Sequence, residues 1–347
     1  MKHFRRVLFV VALAATFASA QNTPQPGQDL SFQLMRAGPL NAGAYLRPMI
    51  EGFTADMNSA VFHAAKPYSF LGFSLSLRHI STETSDADRM YDLVTPPVID
   101  VRTSSGVRRL VRGTDYAAVV PAAPTTAGDI QDRVLRINPQ SPSYAAYTLS
   151  HAGNDALLRI PRGYSTPSIP LVVPQLTVGL PLGFEAMVRF IPTMKALEVG
   201  DAGMCSYLGY GARYDLGQWL PFLPVDLAIH FATQTMKFKS ESERDIFTAR
   251  GSAFGVEIGK HIWLFNVYAA YQSETSSVTL HQINGTYATF DDVANPFTIP
   301  EQTFSGKNTS RVMVGGSLQV LILQISAEYT FAPTPVGALG IGFSVPD

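Results

Sequence analysis

The chain has 347 residues, with 26 Lys and Arg against 27 Asp and Glu, 46% hydrophobic residues and one cysteine, Cys205. Charged residues make up 15%, below the roughly 25% of soluble globular domains. Beyond residue 20, no stretch approaches the ~18 consecutive apolar residues that a transmembrane helix needs. This excludes a helical membrane protein, an internal disulfide framework, a Cys/His zinc site and a basic nucleic-acid-binding surface.

The first 20 residues have the three parts of a secretory signal peptide. Lys2, Arg5 and Arg6 form a basic start, an apolar stretch follows over residues 7–17, and the small residues Ala18-Ser19-Ala20 precede Gln21. This order predicts export and cleavage after Ala20. The alternative is a membrane-anchoring helix, but the apolar stretch is short for that role.

Residues 21–66 form an N-terminal segment in which the pattern changes. The polar, Pro- and Gly-containing residues 21–40 are expected to be disordered or loosely packed. Apolar residues then recur at helical spacing, which predicts an amphipathic helix over roughly 45–65, with Pro48 in its first turn. The charged and polar residues on its other face are too costly to expose to lipid, so we expect this helix to plug a barrel.

From Phe70 onward the period is two, which predicts a first strand over about 70–80. Residues 81–168 are expected to hold long loops and short strands, including a hairpin of 98–102 and 107–112. After residue 169 the alternation persists to the C-terminus, where 337–345 is expected to pair with the first strand. The segments together predict an all-β, antiparallel up-and-down barrel of about 12–14 strands over residues 67–347.

A membrane barrel and a secreted β-sandwich both use alternating strands, and three features favour the barrel. The alternating segments are about 9–13 residues long, close to the roughly 9–11 of a membrane strand. Their polar faces mix Gly, Ser, Gln and isolated charges, which suits a lumen. Aromatic residues concentrate at segment ends, as in an interfacial girdle. The sandwich stays as the alternative.

Several short motifs resemble those of DUF6588, a family of exported proteins found chiefly in Bacteroidota that carries no established activity. The N-terminal motifs are Ala44-Tyr45-Leu46-Arg47-Pro48, Gly52-Phe53, Asn58-Ser59, Phe62-His63, Ala65-Lys66-Pro67 and Leu71-Gly72-Phe73. The later motifs are Pro174-Gln175-Leu176, Val178-Gly179-Leu180-Pro181, Val188-Arg189-Phe190-Ile191-Pro192, Gly209-Tyr210-Gly211, Gln218-Trp219-Leu220-Pro221 and Pro224-Val225-Asp226. The resemblance covers most of the mature chain.

The order of an N-terminal helical segment followed by a barrel also resembles FadL-like outer-membrane channels for fatty acids and aromatic hydrocarbons. This second resemblance is one of architecture. The Asn-Pro-Ala element common near the N-terminus of those channels is absent, and Phe62-His63-Ala64-Ala65 stands roughly in its place.

No catalytic motif is found, so we expect no enzyme, no catalytic residue, no cofactor and no metal site. A Ser–His pair of a lipid-modifying barrel enzyme, using His151 or His281, would require assumed tertiary contacts. The candidate residues for a solute pathway or plug are instead polar lumen-facing positions and the helix stripe. They are Phe53, Met57, Phe62, His63, Lys66, Arg189, Arg213, Asp226, His230, Glu257 and Arg311.

These charges have a second interpretation, since a small barrel can fill its lumen with side chains of both signs that pair across strands. The leading hypothesis is a porin-like outer-membrane channel or binding protein for a small, partly hydrophobic solute. The alternative is a structural or adhesive surface barrel without transport. The expected partners are outer-membrane lipid, a hydrophobic small molecule and the outer-membrane assembly machinery, with no nucleic acid.

Overall fold

The computed structural model describes residues 30–195, 204–220, 222–240, 243–287, 289–291 and 293–345. The signal peptide and its cleavage site therefore lie outside the described residues. Three α-helices are present in the described part: α1 (Leu30–Ala37), α2 (Ala42–Met57) and α3 (Tyr144–Ser150). None of the described helices is long and apolar enough to cross a membrane.

Ten antiparallel strands form one closed sheet in the described residues. They are β1 (Phe73–Glu83), β8 (Ser168–Gly179), β9 (Phe184–Lys195), β10 (Met204–Asp215), β11 (Asp226–Lys239), β12 (Asp245–Ile262), β13 (Phe265–Leu280), β17 (Ser310–Val320), β18 (Leu323–Phe331) and β19 (Val336–Val345). Each pairs with its neighbours in this order, and β19 closes the ring by pairing with β1 from Phe73↔Val345 to Ser81↔Gly337. Closure gives each of the ten strands a hydrogen-bonded neighbour on both sides.

The barrel exterior is apolar, as the alternation predicts. Outward side chains such as Leu75, Phe254 and Ile341 are exposed, whereas the residues between them, such as Ser74 and Ala253, are buried. Exposed aromatic residues mark one end of the wall, among them Trp219, Phe222 and Trp263. An apolar band with an aromatic girdle identifies a membrane-spanning barrel and confirms the predicted architecture.

The strand count is ten rather than 12–14. The sequence pattern locates extended segments but not their partners, and nine shorter strands lie outside the ring. They are β2 (Met90–Val94), β3 (Val98–Thr103), β4 (Gly106–Val111), β5 (Val119–Pro124), β6 (Val134–Arg136), β7 (Ala156–Arg159), β14 (Ile283–Thr286), β15 (Pro296–Ile299) and β16 (Gln302–Ser305). The predicted hairpin exists as β3 and β4, but it forms a separate two-stranded sheet.

The two ends of the barrel differ. One end of the barrel, here called the turn end, has short connections, which are residues 180–183, 263–264 and 321–322. The last residue of β19 lies at the same end. The connections β1–β8 and β13–β17 lie at the opposite, loop end and carry the short strands and α3. Ile99, Leu110, Tyr116 and other buried residues give these loops an apolar core of their own. We call this loop-end structure the cap.

The N-terminal segment differs in detail from its prediction. Helix α1 lies in residues expected to be loosely packed, and its Leu30 and Leu34 are fully buried against the core. Helix α2 begins at Ala42, not Tyr45, so that Pro48 lies inside the helix, and it ends at Met57 rather than near residue 65. Residues 58–66 continue without helix. Apolar residues at helical spacing do not show where the helix ends, because residues 52–65 are buried on every side.

Candidate functional site

Residues 41–66, called here the inner segment, run through the barrel lumen. At the loop end, the Asn41 side chain donates to the Val94 carbonyl at 2.9 Å and accepts from the Val94 N–H at 2.8 Å. The Tyr45 hydroxyl donates to the carbonyl of Arg162 at 2.8 Å. Beyond α2, buried side chains of the wall bind successive backbone groups of the segment.

Arg189 of β9 is the first of these side chains. Its guanidinium donates to the carbonyls of Met57 at 3.3 Å and Ser59 at 3.0 Å, and also to the carbonyl of Ala60. Its Nε donates to Gln175 Oε1 at 2.9 Å. These carbonyls lie at and just beyond the C-terminus of α2, where the helix dipole favours a cation. Arg189 therefore holds the point at which the helix ends.

Arg311 of β17 binds the same turn from another side of the wall. It donates to the Ala55 carbonyl at 3.0 Å and to the Ser59 hydroxyl. It also forms an ion pair with Glu274 at 2.6 Å, and neither side chain is exposed. Gln272 donates to the Asn58 carbonyl at 3.1 Å. The charges on β13 and β17 thus neutralise each other while they position the inner segment.

A second cluster lies nearer the turn end. Arg213 forms ion pairs with Glu185 at 2.9 Å and Glu257 at 3.0 Å, and His230 Nδ1 lies 2.8 Å from Glu257. Arg213 also donates to the carbonyls of Ala64 and Lys66. Its guanidinium stands 4.5 Å above the Phe62 ring, at cation–π distance. This cluster therefore binds the C-terminal end of the inner segment, where the chain leaves the lumen.

His63 belongs to a third network. Its Nδ1 lies 2.8 Å from an Arg78 guanidinium nitrogen and its Nε2 lies 3.0 Å from the Tyr68 hydroxyl. Because arginine only donates, Nδ1 accepts and Nε2 carries the proton. Arg78 also donates to Ser326 at 2.6 Å. Further along, Glu328 accepts the Ala60 N–H at 2.9 Å, so the wall supplies acceptors as well as donors.

The upper lumen, toward the loop end, is apolar. The Phe53 ring centroid lies 6.4 Å from that of Phe238 and 6.2 Å from that of Phe247. Ile50, Met49 and the wall residues Ile169 and Leu171 are buried in the same cluster. Helix α2 approaches β8 so closely that a Cβ atom on Gly52 would lie 2.5 Å from the Cβ of Ile169. Only glycine fits at this position.

The wall next to α2 is incompletely paired. Strand β8 pairs with β9 only from Gln175↔Arg189 to Gly179↔Glu185, although each strand has 12 residues. Residues 168–174 of β8 pair with β1, and residues 190–191 and 194–195 of β9 pair with β10 on either side of a bulge. Proline at 170, 174 and 192 supplies no N–H to the missing ladder. We call this unpaired upper half of the β8–β9 boundary the seam.

Nine of the eleven predicted site residues lie in the lumen as one connected system. The two that do not are Lys66, whose side chain is exposed at the turn end, and Asp226, which is half-buried at the first position of β11. The system also includes Arg78, Gln175 and Glu274, which the sequence pattern did not single out. Glu274 is in phase with Gln272, but the apolar alternation fades after Tyr271 while β13 continues to Leu280.

The arrangement can bind backbone groups and balance charge. Within the described ranges, no three His, Cys, Asp or Glu side chains are grouped so that they could hold a metal ion. The loop histidines have other partners: His151 Nδ1 lies 2.7 Å from the Tyr147 carbonyl, and His281 lies 2.9 Å from the Thr248 hydroxyl. The lumen charges therefore have the paired, space-filling arrangement that is the second interpretation of the sequence pattern.

Fold and lumen together define a class of protein, a membrane-spanning β-barrel whose lumen is occupied by its own N-terminal segment. The chain belongs to the family of unknown function DUF6588, whose family model matches residues 1–345. No curated protein matches the sequence.

Solved structures that are similar to the chain include the following three outer-membrane proteins. The attachment invasion locus protein Ail of Yersinia pestis is 9% identical, with 80% of this chain and 99% of that chain covered and a TM-score of 0.23. OmpT of Vibrio cholerae lacking loop L8 is 11% identical, with 79% and 98% covered and a TM-score of 0.25. The outer-membrane channel DcaP of Acinetobacter baumannii is 11% identical, with 79% and 96% covered and a TM-score of 0.20. The barrel assignment itself rests on the strand pairing described above.

Proposed function

We propose that this protein is an outer-membrane barrel that binds and passes a small, partly hydrophobic solute, which enters from the bilayer through the seam. The observation that carries the proposal is the loss of β8–β9 pairing above Gln175↔Arg189. Every other neighbouring pair in the ring has a longer ladder. Two neighbouring strands that share no ladder hydrogen bonds need less free energy to separate than two paired strands.

The surroundings of the seam favour an apolar solute. Its outer side faces the apolar band, and its inner side faces α2 and the cluster around Ile50 and Phe53. A solute that crosses the seam thus meets apolar surface on both sides. Further passage toward the turn end requires the inner segment to move, because Arg189, Arg213 and Arg311 hold that segment in the lumen.

A cross-link across the seam tests the route. Val172→Cys and Pro192→Cys, in a Cys205→Ser background, place two thiols on the outer face of the unpaired half, for bridging by a short bis-maleimide. The control pair Leu176→Cys and Val188→Cys faces outward in the paired half of the same two strands.

The readout is uptake of a fluorescent alkyl-chain carboxylate into proteoliposomes. We expect the bridge over the seam to abolish uptake and the control bridge to leave it unchanged. Equal uptake with and without the bridge over the seam contradicts the proposed route.

A second candidate function is a surface platform for adhesion or envelope integrity, with no transport. The observation that favours it is the cap, which has its own apolar core around Tyr116 and Tyr147. Flux of hydrophobic and hydrophilic solutes, with and without residues 41–66, separates the two functions. No flux in either variant would leave the platform as the function.

Our proposal includes no catalytic step and no cofactor, because the lumen charges are engaged with each other and with the inner segment. It also includes an outer-membrane location, a signal peptide cleaved after Ala20 and insertion by the outer-membrane assembly machinery. Fractionation, heat-modifiable migration on gels and N-terminal sequencing starting at Gln21 are the corresponding measurements. A soluble periplasmic protein would contradict the location.

A further inference from the structure

We infer that the barrel presents residues 30–40 on the outer face of the membrane: from there the chain passes through the lumen from the loop end to the turn end before β1 begins. This inference concerns the path of the chain and does not depend on any transported solute. It rests on where the inner segment is anchored along the barrel axis.

The start of the path is fixed at the loop end. Helix α1 packs there, with Leu30 and Leu34 buried in the cluster that contains Ile299 of β15. The reciprocal hydrogen bonds between Asn41 and Val94 then tie the beginning of the inner segment to β2 of the cap.

The end of the path is fixed at the turn end. The Tyr68 N–H donates to Glu185 at 2.7 Å, one residue after β9 begins. The Leu71 N–H donates to the carbonyl of Gly179, the last residue of β8, at 3.3 Å. Strand β1 then starts at Phe73, opposite Val345 near the C-terminus.

The orientation of the barrel follows from its connections. Outer-membrane barrels have short turns on the periplasmic side and longer loops on the extracellular side. The cap and α1 therefore share the extracellular side, and the 180–183 and 321–322 turns lie in the periplasm. Because a helix with its side chains is about 10 Å wide, α1 cannot follow through a lumen that is already filled. The inner segment must occupy the lumen before β1 and β19 pair.

Single cysteines in a Cys205→Ser background test this path in intact cells with a membrane-impermeant biotin maleimide. The test position is Leu40, which is exposed at the loop end just before the inner segment. Leu149 in the cap is the matched positive control, and Leu182 and Leu321 at the turn end are the matched negative controls; all four are exposed leucines.

We expect Leu40→Cys to label as completely as Leu149→Cys in intact cells. Leu182→Cys and Leu321→Cys should label only after the outer membrane is permeabilised. Labelling at 149 without labelling at 40 would overturn the threaded path. Labelling at 182 and 321 alone would overturn the orientation. Unchanged heat-modifiable migration shows that each variant is folded.

Discussion

Replacement of Arg189 by alanine should loosen the inner segment from the wall of the lumen. The substitution leaves the carbonyls of Met57, Ser59 and Ala60 without this donor. The Met57 carbonyl keeps a second donor, the Tyr207 hydroxyl at 3.4 Å, so only the Ser59 and Ala60 carbonyls are orphaned. An orphaned buried acceptor costs about 1–3 kcal/mol, so two at the low end of the range destabilise the docked segment by about 2 kcal/mol. Since about 1.4 kcal/mol corresponds to a tenfold change, the undocked population should rise roughly 30-fold.

Ion conductance in planar bilayers is the assay, because a segment detached from the wall admits water and ions between the segment and the wall. We expect frequent openings for Arg189→Ala and a closed barrel for the native protein. Arg250→Ala is the matched control, since Arg250 lies on β12 but is exposed. If Arg189→Ala conducts no more than Arg250→Ala while both are folded, the segment does not depend on this clamp and the reasoning fails.

Three further outcomes are expected. Val256→Arg, outward near the middle of β12, should destabilise the barrel by ~2–4 kcal/mol, whereas Ile262→Arg at the strand end should cost ~0–1 kcal/mol; equal losses in urea unfolding would contradict the membrane position. Phe53→Cys, with the native cysteine replaced by serine, should react slowly with a bulky maleimide, and faster if an alkyl-chain solute displaces α2; rapid labelling in the absence of solute would place α2 outside the packed lumen. Hydrogen bonds from Arg109 lower the pKa of Asp100, so the stability they give the β3–β4 hairpin is present above the unfolded pKa of ~3.9 and is lost as the pH falls through the lower folded value. Amide exchange, corrected for its intrinsic pH dependence, should detect this loss in the native protein but not in Asp100→Asn.

Much of the wall could be predicted from the sequence because the side-chain period of a strand is two. The alternation around Arg189 and Arg213 assigns both to the lumen, and both are buried there. The pairing of β19 with β1 could be predicted for a different reason, because a barrel without a free edge must close its last strand on its first. The functional interpretation of these residues could not be predicted, because alternation assigns a face but no partner.

The sequence by itself determined that the chain forms a membrane barrel, since alternation over long segments, low charge and spread apolar residues leave few other folds. Only the tertiary structure decided the strand number, the limits of α2, the unpaired seam and the role of the lumen charges. These features depend on contacts between residues far apart in the chain, such as Arg189 with Ser59 and Arg311 with Glu274. A local pattern reports the environment on each side of a strand, whereas the choice of partner depends on how the whole chain closes.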